Sequence, residues 1–225
     1  MQPSADIVRA LREQGIRIDT SVFKHGSRTG LVRFDYQDAF SDLVPWPVDP
    51  TEICRADPQG ELWEVPIYCE NRPIWDFLSV ARFYRVWQAS GHPMPEGPRE
   101  AAGSGSPGGR LGKLGALVRR HAWKMDFNQC SGRQLIGALQ RIAARYGDSP
   151  HPLPVVLIGH SKLFTRHNEK DLAVFLGHVA GRAADCRFST LAELDLAAMR
   201  KAFEHERAGG AVLRDPQGAE SGTAQ

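Results

Sequence analysis

The sequence predicts an α/β fold with about four strands, parallel where they pair, and helices on the outside. Three observations predict it. A helical pattern at the N-terminus runs at once into a strand pattern. Strand-like and helix-like segments then alternate to residue 207. One segment, residues 154–158 (Pro-Val-Val-Leu-Ile), is the continuous apolar run that a parallel strand buried on both faces carries.

Taken in order, Ser4 reads as an N-cap, with Asp6 in the first turn and Ile7, Val8 and Leu11 at helical spacing. Gly15 stops this helix. Residues 16–23 form the first strand pattern, so the chain opens with a helix that no strand precedes. Residues 24–60 are polar, with scattered aromatics and four prolines, and read as a long loop with short antiparallel pieces. Residues 61–69 are a second strand, in which Pro66 belongs near an end or an edge. Residues 74–89 give an amphipathic helix with Phe77, Leu78, Ala81, Tyr84 and Trp87 on one face.

Residues 91–109 are rich in Gly, Pro and Ser and read as a mobile linker or insertion. The spacing then predicts a basic helix over 111–123, a helix over 131–146 ended by Gly147, the strand of 154–158, a helix over 169–182 capped by Asn168, a short strand over 186–189 and a final helix over 191–207. The chain thus divides into a first part (1–90), the linker (91–109), a second part of the same unit (110–207) and a disordered tail (208–225).

Composition excludes several classes. The chain has 225 residues, 42% hydrophobic and 24% charged, with a formal net charge of +2. That supports a packed core and predicts no attraction to nucleic acid. No apolar run approaches the roughly 20 residues of a membrane span, and Met1 to Asp6 does not resemble a secretory leader. Cys54, Cys69, Cys130 and Cys186 form no CxxC pair, so the expectation is reduced thiols in a cytoplasmic protein.

His160 is the main candidate for chemistry. It leaves the 154–158 strand for the following loop, where parallel folds place their sites, and imidazole titrates near neutral pH. Gly159 would let the backbone pass close to a ligand. Lys162 and His167 share that loop and could meet an anionic or sugar ligand; His151, before the strand, is weaker. Asp35, Asp38 and Asp42 lie near Tyr36 and Trp46, and carboxylates beside aromatic rings suit carbohydrate. Asp19, at the end of the first strand, could orient a catalytic group or cap its loop. Arg33, Arg72 and Lys124 carry no assigned role. There is no Asp-Asp pair, no His-x-x-x-His, no phosphate-binding glycine motif and no Gly-x-Ser-x-Gly.

The order of motifs resembles a known family. Residues 4–14 followed by Gly15-Ile16-Arg17-Ile18-Asp19-Thr20-Ser21, the strand Leu62-Trp63-Glu64-Val65-Pro66, and residues 155–160 followed by 168–172 and then 187–194 resemble the C-terminal half of polysaccharide deacetylases of the NodB-homology type, carbohydrate esterase family 4-like. The resemblance covers most of residues 4–195 apart from the linker. It implies an incomplete (β/α) barrel, which the alternating order supports independently. It also implies removal of acetyl groups from amino sugars with a divalent, zinc-like metal in the full-length family. It casts His160 as the general acid, with Asp35 and Trp46 as stand-ins for an aspartate and tryptophan motif; Lys162 joins them as a substrate contact. The family's metal-binding motifs are absent from the sequence, so no metal ligand is assigned and no metal is expected for this chain alone. The expectation is a truncated form, inactive by itself. The alternative is a non-catalytic carbohydrate-binding or regulatory half-barrel that needs a partner chain. An uncovered sheet edge would favour self-association.

Overall fold

The structure is a computed structural model that describes residues 4–29, 33–73, 75 and 120–209. The linker, the tail beyond residue 209 and, apart from residue 75, the expected 74–89 helix lie outside the described residues. So does residue 111–119 of the expected basic helix.

Helix α1 spans Ser4–Glu13 and ends as expected: the Gly15 and Ile16 amides donate to the Arg12 and Leu11 carbonyls. The first strand, β1, is Ile18–Asp19. It pairs in parallel with β5, Trp63–Glu64, through Ile18 to Trp63 and Asp19 to Glu64. The parallel course continues past these bounds, since the Ile67 amide donates to the Val22 carbonyl. Between them the long loop holds the expected antiparallel pieces. Strands β2 (Ser27–Arg28) and β3 (Phe34–Asp35) form a hairpin, and β4 (Trp46–Pro47) pairs antiparallel with β5. Pro66 falls in the gap between β5 and β6 (Cys69–Pro73), where no ladder bond is demanded of it.

Strand β7, Arg120–Lys124, corrects the helix expected to reach Trp123. Its five residues pair antiparallel with β6, from Cys69 opposite Lys124 to Pro73 opposite Arg120. Basic composition favoured a helix locally, but a partner strand from a distant part of the chain overrides that preference. Beyond Lys124 the two strands splay into a fork. The Met125 amide still bonds the Tyr68 carbonyl, while residues 156–158 enter the gap: Val156 pairs in parallel with Ile67, and Ile158 with Asp126. The strand expected to be buried on both faces is thus a run of single bridges, and residues 153–159 are only half-buried.

Helix α2 (Gly132–Tyr146) has a complete capping box, with Ser131 and Gln134 bonding each other's backbone, and buries Leu135, Ala138, Ile142 and Tyr146. Helix α3 spans Arg166–Ala180. Its cap is Thr165, not Asn168; Asn168 is the reciprocal partner three residues on. Residues 186–189 form no strand. The last helical stretch is broken in two, a 3-10 turn at Leu191–Glu193 and helix α4 (Leu196–Arg207), which Asp195 caps.

Two apolar cores result. One gathers Val8, Val22, Trp46, Val48, Leu62, Trp63 and Val65 under Met199 and Phe203 of α4. The other gathers Leu43, Val44, Tyr68, Trp123 and Met125 with α2 and α3. The architecture is mixed α/β with small sheets, and among the described residues the strands close no barrel.

Candidate functional site

Polar groups collect in three places. The first is an open cleft of about 590 Å3 lined by Asp35, Asp38, Phe40, Glu52, Arg55 and Arg207, with Cys54 at its wall. Its acids come from the end of β3, the following turn and the loop after β4; Arg207 ends α4. Asp35 Oδ1 accepts from the Gln37 amide and side chain, which fixes the turn. Cys54 is buried, and burial first, then Glu52, pushes its thiol up to about 12. It is therefore a neutral thiol at neutral pH and a poor nucleophile.

The second place is the β1–β5 junction. Glu64 is fully buried. Its Oε1 accepts from the amides of Ser21 and Val22, at 3.1 and 2.8 Å. Burial, then Asp19, holds its carboxyl well above the usual range. Asp19, half-buried beside it, accepts from the Ser21 hydroxyl at 2.7 Å. Tyr36 stands near, its hydroxyl pushed up to about 12 by burial, then by Cys54, Glu64 and Asp19. Asp19 was a sequence candidate and Glu64 was not. A glutamate inside an apolar strand is the signal that could have found it.

The third place is the fork. The His160 amide donates to Asn128 Oδ1, and Asn168 Nδ2 bonds the Phe127 and Asn128 carbonyls. The His160 residue itself is exposed. Gly159 admits no ligand, because the ring of Phe127 occupies the space: a Cβ there would stand 2.1 Å from it. Val156 is level with Ile67, so His160 lies seven strand positions beyond Glu64. The His160 loop and the carboxyl pair are distinct sites.

The remaining candidates scatter. Trp46 is 0% exposed and its indole donates to the Ile53 carbonyl at 3.1 Å, so it offers no face to a sugar ring. The proline-flanked segment around it packs into the core. Asp42 is also buried, accepting from Arg145 at 2.6 Å and the Tyr146 hydroxyl at 2.7 Å. Lys162 is exposed in the 3-10 turn Ser161–Leu163. His167 Nε2 lies 3.2 Å from Asp171. His151 is half-buried and Arg33 exposed. Arg72 pairs with Glu70 at 3.0 Å, and Lys124 lies 4.3 Å from the centre of the Phe23 ring.

Among the described residues no three His, Cys, Asp or Glu side chains converge on a metal position. The carboxyl pair does not fit the zinc-like ion of the resemblance either, because Glu64 Oε1 is committed to two amides and, among the described residues, it belongs to no group of three metal-ligating side chains. No helix among the described residues is long and apolar enough to cross a membrane. No family model, no curated protein and no solved structure matches the chain.

Proposed function

We propose that the chain is a polysaccharide deacetylase-like protein that engages an amino-sugar chain in the cytoplasm through the cleft of Asp35 and Asp38, and that it does not hydrolyse N-acetyl groups by itself. The cleft is the observation that carries this reading. Asp35, expected from the sequence to meet a sugar, lies there with Asp38, Glu52, Arg55 and Arg207 around a volume suited to a small ligand. Carboxylates accept from sugar hydroxyls and amines, while guanidinium groups donate to hydroxyl and carbonyl oxygens. The parallel pairings of β1 with β5, Ile67 with Val156 and Asp126 with Ile158 support an incomplete (β/α) barrel as its frame. Amide hydrolysis needs a polarised carbonyl and an activated water, which a metal supplies in the family, and the described residues offer no matching donor set.

A second reading, a binding module completed by a partner chain or a second copy, is favoured by β1. Among the described residues its only strand partner is β5. Thr20, just beyond it, has a buried hydroxyl oxygen with no hydrogen-bond partner among those residues.

Titration calorimetry with chitin and chitosan oligomers, alongside an acetate assay with added zinc, tests the proposal. The expected outcome is binding that Asp35→Asn and Asp38→Asn each weaken by about tenfold, roughly 1.4 kcal/mol, with no acetate released. Acetate release would restore catalysis to this chain. Absence of binding to every oligomer would remove carbohydrate from its function.

A further inference from the structure

We infer that Asp19 and Glu64 share a single proton across the β1–β5 junction, held on Glu64 at neutral pH, so that the junction is a pH-sensitive latch. This does not rest on the cleft taking a sugar.

The geometry carries it. Trp46, Glu64 and Asp19 stand in register across β4, β5 and β1, so their side chains share one face of the sheet. Trp46 is fully buried and Glu64 lies beside it without solvent. Glu64 Oε1 is satisfied by two backbone amides, whereas Oε2 is buried and meets no donor. An ionised carboxylate would leave that oxygen's charge uncompensated. A protonated one turns Oε2 into a hydroxyl donor, and Asp19 is the acceptor beside it. Asp19 itself accepts from the Ser21 hydroxyl and is half-exposed to solvent. Other titratable groups sensing Glu64 are Tyr36, after β3, and Cys54, in the loop after β4. Both are neutral at neutral pH, so neither offers Glu64 a positive partner. The elevated affinity of Glu64 for its proton agrees with this arrangement.

What the latch holds is the chain turn after β1. The same carboxyl grips the amides of Ser21 and Val22, two residues before the Lys24–His25 turn that leads into β2. Loss of the proton places two carboxylates side by side in a dry site and loosens that turn.

The folded chain keeps a proton on Glu64 that the unfolded chain releases above about pH 4.3. Stability therefore falls as pH rises from there until Glu64 itself ionises. Gln in its place reproduces the protonated group, accepting from both amides and donating to Asp19. The test compares unfolding of the full chain and of Glu64→Gln between pH 5 and 9, with the 13C shift of the Glu64 carboxyl followed in the unsubstituted protein. The expected result is a ratio of folding constants, variant over unsubstituted, that rises by up to tenfold per pH unit, with the carboxyl shift at its protonated value at pH 7. Asp19→Asn should move the Glu64 transition to lower pH. Parallel stability profiles, or a carboxyl shift already at the ionised value at pH 7, would overturn the inference.

Discussion

Residues 41–48 and residues 153–158 make an instructive pair. The first, Ser-Asp-Leu-Val-Pro-Trp-Pro-Val, opens with two polar residues and sits in what the sequence marks as loop, yet all eight residues are buried. The second is the most apolar strand candidate in the chain, yet every residue of it after Pro152 is only half-buried. Burial follows the partners an element finds and not its hydrophobicity alone. In 41–48 the polar groups are fully engaged. The Ser41 hydroxyl accepts from the Leu43 and Val44 amides, Asp42 is held by Arg145 and Tyr146, and β4 pairs with β5. The run at 153–158 enters a fork that pairs only two of its residues. The same contrast extends to α3, which leaves Val174 54% exposed where it borders Gly132 of α2, and to Phe188 at 64%.

The contrast can be broken or sharpened by substitution. The largest effect belongs to the closed region: Trp46→Ala should cost about 3–5 kcal/mol, read from denaturant unfolding. A loss below 1 kcal/mol would show that the region around β4 is not the closed core described. An intermediate effect is expected where the two helices of the second region meet. A Cβ on Gly132 would stand 2.5 Å from the Asp171 carbonyl, so Gly132→Val should force α2 from α3 at a cost of about 1–3 kcal/mol, measured as a lowered Tm. The smallest belongs to the open face: Phe188→Ser, at a position 64% exposed, should change stability by no more than about 0.5 kcal/mol. A loss of 2 kcal/mol or more there would mean that the face is covered in solution, and the contrast between the regions would collapse.

Local signals were legible in the sequence and long-range ones were not. Helix α2, with Ser131 before it and Gly147 after it, stands where its 3.6-residue periodicity and caps put it, and Gly15 ends α1 as expected. The cap of α3 was misplaced because Thr165 and Asn168 are reciprocal partners, and either alone resembles a cap. Strand β7 was misassigned because its partner, β6, lies some fifty residues earlier and nothing in Arg-His-Ala-Trp-Lys declares that pairing. Site residues divide the same way. Asp35, read as a sugar-binding carboxylate in the long loop, lines the cleft. Trp46 looked like a sugar platform because aromatic rings serve both surfaces and cores, and only its register opposite Glu64 decides between them. Glu64 gained its interest from Asp19 on a neighbouring strand, a relation fixed by pairing.

The fork where β6 and β7 part has a consequence for the order of folding. It ties positions near 67, 125 and 157 by successive single bonds, each linking segments more than thirty residues apart in the chain. Such closures lose chain entropy before any contact rewards them. Helices α2 and α3, each with a self-contained capping box, can gain structure from neighbours three and four residues away. The fork is therefore expected to complete late, and hydrogen-exchange protection of the backbone amides of Tyr68, Met125 and Ile158 would report the moment at which the two cores join.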